Sequence, residues 1–167
     1  MQLTDIYPVE KWVELEQEIH DRFGLDSNVF NVDGIRISEF KAWANKLCPA
    51  IKATGKGQSF ICAVAHMNLA IMAKNSSEPV VEECDAGLVK IVVPIFAEDT
   101  FIGAVGACGL LMQDGEVDSF LVNKITEIDE EKVYALAEGI GIIHNEQIKE
   151  LISFVEERIK SIVSVYK

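Results

Sequence analysis

The sequence lacks the features that mark proteins of membranes and nucleic acids. Its longest apolar run, FIGAVGACGLLM, has about 12 residues, whereas a membrane-spanning helix needs roughly 20. No cluster of Lys and Arg is present, and the net charge of -12 would repel nucleic acid phosphates and anionic lipid surfaces. The opening MQLTDIYPVEKW has neither the basic start nor the apolar centre of a signal peptide. We therefore expect a cytoplasmic protein that spans no membrane and binds no nucleic acid.

Several catalytic and metal-binding motifs are also missing. The four cysteines include no C-x-x-C pair, so the pattern of a zinc ribbon is absent. The loop ATGKGQ has neither the length nor the Lys-Ser/Thr ending of a phosphate-binding P-loop. A nucleophilic thiol needs a neighbouring base and a third group that orients the base, and only Cys62 with His66 offers the first pair. We expect no enzymatic activity, and reduced thiols in the cytosol.

What is present is ordinary globular composition, with 49% apolar and 25% charged residues in a chain of 167. This length predicts one domain, 1–167. Helical spacing of apolar residues predicts an opening helix from about Pro8 to Gly24, and Asp33-Gly34 predicts a tight β-hairpin. A helix is expected to begin at Ser38 and end at Pro49. The next helix, 59–73, has almost no charge, so we expect most of its surface to be buried.

The second half of the chain predicts a sheet followed by helices. PVVEEC is a short strand, and LVKIVVPIFA pairs with FIGAVGACGLLM as an antiparallel hairpin that places Cys108 opposite Lys90. Glycines at 103, 106 and 109 remove side chains where a helix or ligand would come close. The rest of the chain is predicted to be helical, and the last helix covers about 144–167.

Several residues in a fixed order carry a family resemblance. They are Trp12, the Asp33-Gly34 turn, Cys48, Cys62, the run Cys84-Asp85-Ala86-Gly87-Leu88, Pro94-Ile95 and Gly103. With these residues, positions 9 to 165 resemble the PocR sensory domain. Such domains tend to end the last strand in a Gly-Gln pair, whereas this chain reads Ala107-Cys108-Gly109-Leu110, which lacks the polar group and adds a fourth thiol. Because the sequence shows no kinase, helix-turn-helix or methyl-accepting output segment, we expect either a fragment of a longer protein or a stand-alone sensor.

The resemblance implies an α/β fold of PAS/GAF type, with a central antiparallel sheet, helices covering one face and helices at both ends. It also implies a sensory domain that binds a small organic ligand, such as a hydrocarbon derivative. The terminal helices would carry the signal to an output domain or a partner signalling protein.

We expect the ligand to lie in an apolar pocket with few polar groups. The two walls would be the nearly uncharged helix 59–73 and the glycine-rich hairpin 89–111. The predicted ligand-binding residues are Cys62, His66, Met67, Cys84, Val93, Gly103 and Gly106.

A metal site is the alternative. Cys62 and His66 are four residues apart, so one helix face can present both as ligands. Cys48 and Cys84 could join them if the fold brings the thiols together, with Cys108 as a weaker candidate. Sulfur ligands favour zinc or an iron–sulfur cluster, which would make the domain a redox or metal sensor. The competing interpretation is that the cysteines are buried packing residues and that His66 bonds to a backbone carbonyl.

The last helix carries apolar residues in the rhythm of a coiled coil. Steps of four and three residues separate Ile148, Ile152, Val155, Ile159, Ile162 and Tyr166, which favours a homodimer. Leu151 and Val163 widen the stripe, which favours packing within the domain instead. A third functional hypothesis is a protein-interaction module without any ligand.

Overall fold

The computed structural model describes residues 1–166. Lys167, where the predicted domain and the predicted last helix both end, lies outside the described residues. Within residues 1–166, no helix has the length and apolar character needed to cross a membrane.

The described chain contains eight helices, one π-helical segment and six strands. The helices are α1 (Leu3–Ile6), α2 (Val9–Phe23), α3 (Leu47–Lys52), α4 (Gly55–Gly57), α5 (Val64–Ser76), α6 (Ser119–Thr126), α7 (Glu130–Ala137) and α8 (Asn145–Val165), with a π-helical segment (Gln58–Ala63) leading into α5. The strands are β1 (Asp26–Asn31), β2 (Val80–Glu83), β3 (Val89–Ala97), β4 (Thr100–Cys108), β5 (Leu111–Met112) and β6 (Ile142–Ile143). The predicted α/β class with a long C-terminal helix is confirmed.

Four of the strands form an antiparallel sheet in the order β1-β4-β3-β2. The predicted β3–β4 hairpin is present, and Cys108 pairs with Lys90 as expected. Pro94 lies beyond the last residue of β3 that pairs with β2, Val92, so its missing N–H removes no bond to β2. β5 and β6 form a separate parallel pair.

The two faces of the sheet have different chemistry because side chains alternate along each strand. Odd-numbered residues such as Val29, Val93 and Val105 lie in the main apolar core together with residues of α2 and α8. Even-numbered residues lie on the opposite face, where Val92 and Ala104 pack with α5. We call this second side the cavity face. Helices thus cover both faces, not one as expected.

The predicted helix from Ser38 to Pro49 is wrong over most of its length. Helix α3 begins only at Leu47 and contains Pro49 in its first turn, where proline is tolerated. The Ser38 hydroxyl, expected to cap a helix, donates a hydrogen bond to Glu16 Oε2 at 2.6 Å. The Glu16 carboxylate also accepts the Val29 N–H at 2.8 Å through Oε1, so it joins α2 to β1 and to the following loop.

The predicted hairpin at Asp33-Gly34 is present only as a turn. Gly34 has φ of 74°, and the Gly34 N–H donates to the Asn31 carbonyl at 3.0 Å. The returning chain pairs with β1 through a single bridge, between Phe30 and Arg36.

Helix α5 and the π-helical segment are less buried than the lack of charge predicted. Phe60, Val64, Met67 and Ile71 are all exposed, with Phe60 at 59%. The helix therefore covers the cavity face of the sheet with one side and presents apolar side chains to solvent with the other.

The apolar stripe of α8 packs within its own chain. Ile148, Val155, Ile159 and Ile162 are all buried and belong to the main core with α2 and the sheet. Ile152 is only partly buried, and Tyr166 is 50% exposed. Four of the six coiled-coil positions are thus unavailable to a partner helix, and the homodimer stays a prediction.

Replacing Ile159 with Lys should destabilise the fold. The change puts an unpaired ammonium into the core beneath α8, at a cost on the order of 3 kcal/mol in the free energy of unfolding, measured by urea denaturation. Val165→Lys, at a position 83% exposed on the same helix, is the control and should leave stability within about 0.5 kcal/mol of wild type. If Ile159→Lys is as stable as wild type but has half its mass in light scattering, the prediction is wrong. Ile159 would then lie in an interface between two chains.

Candidate functional site

A partly enclosed cavity of about 250 Å³, called the enclosed cavity below, lies between the π-helical segment, the start of α5 and the cavity face of the sheet. A larger concavity of about 1200 Å³ lies near β2 and α6, but it is an open groove and contains only Cys84 of the predicted site residues. The enclosed cavity contains Cys62, His66, Met67 and Cys84. We therefore take the smaller cavity as the candidate site.

All four cysteines of the chain line this cavity. Cys48 lies in the first turn of α3, Cys62 in the π-helical segment, Cys84 directly after β2, and Cys108 at the end of β4. Each thiol comes from a different element, and the intervals along the chain follow no local motif. Only the tertiary fold brings them to one place.

Asn45 fixes the position of Cys48 relative to the end of β4. The Cys48 N–H donates to Asn45 Oδ1 at 2.7 Å, which caps the start of α3. Asn45 Nδ2 donates to the Gly109 carbonyl at 2.6 Å and lies 3.2 Å from Cys48 Sγ, to which it also donates. One amide therefore joins α3 to the residue after Cys108. The sequence pattern did not identify Asn45, although Asn three residues before a helical N–H is a capping signal.

Cys84 is held by a tight turn. The Cys84 N–H donates to the Leu88 carbonyl and the Gly87 N–H to the Cys84 carbonyl, both at 2.8 Å. Gly87 has φ of 85°, and a Cβ there would lie 2.1 Å from the Glu116 carbonyl oxygen, so only glycine fits. Burial raises the pKa of the Cys84 thiol, while hydrogen bonds from the backbone N–H groups of Leu88 and Ala86 act in the opposite direction.

The π-helical segment places Cys62 and His66 over the sheet. Single π-turns are rare and often occur at functional sites. The segment follows Gly57, where a Cβ would lie 2.2 Å from the Ile51 carbonyl oxygen, so glycine allows the close approach to α3. Cys62 and His66 both line the cavity, as their four-residue spacing predicted.

His66 is buried against the sheet without a hydrogen-bond partner. Its ring stacks on Phe30 of β1, with centroids 3.5 Å apart and an angle of 26° between the planes. The expected bond to a backbone carbonyl is absent, since neither ring nitrogen has a partner among residues 1–166. Burial, followed by the nearby charges of Lys90 and Lys52, lowers the pKa of His66 to about 3. The imidazole is therefore neutral at pH 7.

Burial raises the pKa of three of the thiols, those of Cys48, Cys62 and Cys84, and so favours their protonated form. Burial raises the pKa of Cys62 to about 11, although Lys52 acts in the opposite direction. Burial also raises the pKa of Cys48 far above its usual range, with a further contribution from Cys108. In the described part of the chain, no three His, Cys, Asp or Glu side chains are arranged to hold a single metal ion. The geometry is that of neutral thiols around a space, not of a closed metal centre.

The surface of the cavity is mostly apolar, but charged and polar side chains also line it. Arg36, Lys52, Lys90 and Asp26 line it, and Asn28 and Gln58 add two amides. Sequence reasoning missed these residues because it assigned the walls to two apolar segments. The alternation of Asp26, Asn28 and Phe30 along β1 was a usable signal, since residues two apart share a face.

Three predicted ligand-binding residues do not line the cavity. Val93 is on the opposite face of the sheet, in the core with α2 and α8. Gly103 is also on that face, where a Cβ would lie 2.8 Å from Leu3 Cδ1. Gly106 is on the cavity face, but the space above it is occupied by Phe30 and Lys90, 3.3 and 3.4 Å from a Cβ at that position. The glycines allow close packing of side chains rather than contact with a ligand.

A sheet that packs helices on both faces and encloses a small cavity with polar groups is typical of small-molecule binding domains. The family model described as "Sensory domain found in PocR" matches residues 5–165, nearly the whole chain. The chain belongs to this family of sensory domains, and its role is therefore sensory, in signal transduction. No curated protein and no solved structure matches the chain.

Protonation of His66 should destabilise the metal-free protein in mild acid. The folded-state pKa of about 3 lies below the ordinary value of 6.5, so the unfolded chain binds the proton first as the pH falls. Between pH 6.5 and 5, the free energy of unfolding should fall by up to about 1.4 kcal/mol per pH unit. His66→Phe, which keeps the stacked ring, should remove this slope in urea denaturation. His144→Gln, an exposed control, should retain it, and equal slopes for wild type and His66→Phe would contradict the assignment.

Proposed function

We propose that this sensory domain binds a small organic ligand in the enclosed cavity. The observation that carries the proposal is the pair of unpartnered ring nitrogens of His66, 4% exposed, on the wall of a 250 Å³ space. Buried polar atoms without hydrogen bonds cost about 1–3 kcal/mol each, and native structures contain few of them. A ligand with a hydrogen-bonding group would satisfy them.

The shape and lining of the cavity limit the ligand. The volume corresponds to about eight water molecules at roughly 30 Å³ each, so the ligand is small. A neutral imidazole has one donor and one acceptor nitrogen, which suits a hydroxyl, carbonyl or carboxyl group. Phe30, Leu88 and Met67 offer apolar contact for the remainder of the molecule.

The sheet supplies a route from the cavity to the terminal helices. Up to the register shift after Ile95, the paired parts of β1, β3 and β4 place even-numbered residues on the cavity face and odd-numbered residues against the core that contains α2 and α8. A ligand that shifts the cavity face therefore also shifts the surface on which α2 and α8 pack. The output domain or partner protein, the homodimer and the cytoplasmic location are predictions from the sequence.

We infer binding rather than catalysis at this site. A nucleophilic cysteine needs a thiolate, and burial keeps the thiols of Cys48, Cys62 and Cys84 protonated by raising their pKa. His66 has no residue to orient it as a base, since its nitrogens are unpartnered among the described residues.

Filling the cavity should abolish ligand binding. Ala63→Phe adds a ring at a position on the cavity wall, where it competes for the space a ligand needs. A small-molecule panel is screened by thermal unfolding, because a ligand at 100 times its Kd stabilises the fold by about 2.7 kcal/mol. The hits of wild type should no longer shift the unfolding temperature of Ala63→Phe.

The neighbouring residue provides a matched control. Val64 is 40% exposed and does not line the cavity, so Val64→Phe adds similar bulk on the solvent side. Its response to the hits should equal that of wild type. Hits that stabilise Ala63→Phe as well as Val64→Phe would place the binding site elsewhere.

A metal or iron–sulfur centre is the second candidate function, favoured by the convergence of all four thiols on one cavity. Cys48, Cys62, Cys84 and Cys108 would be the ligands, and His66 an alternative to one of them. Hydrogen bonds to the sulfur atoms of Cys48 and Cys84 suit thiolate ligands. A bound cation would supply the drive to deprotonate these thiols, so affinity should fall as the pH falls.

Protein purified without oxygen provides the test. If the thiols hold a metal, elemental analysis should find near-stoichiometric zinc or iron, with visible absorbance for a cluster, and Cys62→Ser should lose it. His66→Phe separates the two ligand sets, because it should keep the metal if the four cysteines suffice. If the wild type is metal-free and Ala is tolerated at Cys48, Cys62 and Cys84, the metal hypothesis is rejected and the organic ligand stands as the proposed function.

A further inference from the structure

The charge of the cavity is opposite to that of the chain. The protein has 27 acidic and 15 basic residues and a net charge of -12. The cavity wall nevertheless includes three cations, Arg36, Lys52 and Lys90, and a single carboxylate, Asp26. A binding site with excess positive charge in an acidic protein attracts anions locally while the rest of the surface repels them.

Lys90 is the most buried of the three cations. It is 6% exposed and lies in the middle of the sheet, and its side chain lines the cavity. Its ammonium lies 5.5 Å from the centre of the Phe30 ring, a cation–π contact. Among residues 1–166, Lys90 forms no ion pair. A largely buried ammonium without a counter-ion is energetically costly, and a bound anion would supply the missing opposite charge.

The carboxylates nearest along the sheet do not provide that anion. Asp26, Cys108, Lys90 and Glu82 form one row across the four strands, on the cavity face. Asp26 Oδ1 accepts a hydrogen bond from Asn28 Nδ2 at 3.1 Å, and Glu82 is exposed on the edge strand. Neither of them forms an ion pair with Lys90.

The other two cations also lack a carboxylate partner in the described chain. The Lys52 ammonium lies 5.3 Å from the centre of the Trp43 ring. The Arg36 guanidinium donates through Nη2 to the Phe40 carbonyl, whereas its buried Nε has no partner. The cavity therefore has three unpaired cations and an unpartnered imidazole.

We propose that the ligand is a small organic acid whose carboxylate binds the Lys90 ammonium and whose apolar part lies against Phe30 and Leu88. This inference rests on the proposed function, a ligand in the cavity, and specifies its chemical class. The carboxylate supplies the charge that the protein lacks at Lys90. A second polar group of the ligand can reach His66.

The first experiment compares acids with their uncharged amides. Wild-type protein is titrated with the pairs butyrate and butyramide, succinate and succinamide, and benzoate and benzamide, each followed by thermal unfolding and calorimetry. The members of a pair have nearly the same size, so charge is the main difference. At least one acid should raise the unfolding temperature and bind at least tenfold more tightly than its amide.

The second experiment removes the ammonium. Lys90→Met keeps the length of the side chain, and Lys132→Met is the control, because it makes the same charge change on exposed α7. Without ligand, Lys90→Met should raise the unfolding temperature by about 2–4 °C, since an unpaired buried charge is replaced by an apolar group. It should also weaken the binding of the acid by about tenfold to a hundredfold. Lys132→Met should change neither value.

The outcomes separate this inference from the proposed function. If amides bind as tightly as their acids and Ala63→Phe blocks both, the ligand is not specifically an acid, but the proposal that a ligand binds in the cavity stands. Acids that bind Ala63→Phe unchanged would overturn both proposals. A lower unfolding temperature for ligand-free Lys90→Met would make Lys90 a structural residue, and zinc or iron bound to the thiols would assign the cavity to a metal centre. Either result would refute the organic acid.

Discussion

The antiparallel pairing of β3 with β4 is the interaction on which the rest of the structure depends. Because side chains alternate along both strands, this pairing places Ile91 and Val93 in one core and Lys90 and Cys108 on the other side. The first face can be covered by the amphipathic helices α2 and α8. On the second face, Val92 and Ala104 pack against α5, whereas Lys90 and Cys108 line the cavity. The location of the site follows from this division of the sheet.

Polar side chains act together with an apolar cluster, against which Cys62 and Cys84 pack, to position the walls of the cavity. Asn45 joins the start of α3 to the end of β4 through three hydrogen bonds, and Glu16 joins α2 to β1 and to Ser38. Such buried networks are worth more than isolated surface bonds because a low dielectric strengthens each hydrogen bond. Glu16 also connects the strand that carries Phe30 with a helix of the main core. Movement of the cavity wall therefore has a direct mechanical link to the opposite face.

The site lowers the stability of the fold that contains it. Lys90 has no ion-pair partner among the described residues, and His66 has two buried nitrogens without hydrogen bonds, while the opposite face consists of packed apolar residues. A protein can retain such a locally unfavourable site when the rest of the core supplies sufficient stability. Binding of a complementary ligand would then stabilise the domain most at the cavity, and this local gain is what a sensor can transmit.

The sequence by itself determined the elements whose signals are local. The 3.6-residue period of α2 and α8 and the alternation of β3 and β4 depend on residues close in the chain, and even the pairing of Lys90 with Cys108 followed from counting along the hairpin. It also placed Cys62 and His66 on one face. Tertiary structure decided the rest. Ser38 bonds to Glu16, 22 residues away, and so starts no helix. The cations and thiols meet because separate elements converge, and distances between elements are not encoded in local spacing.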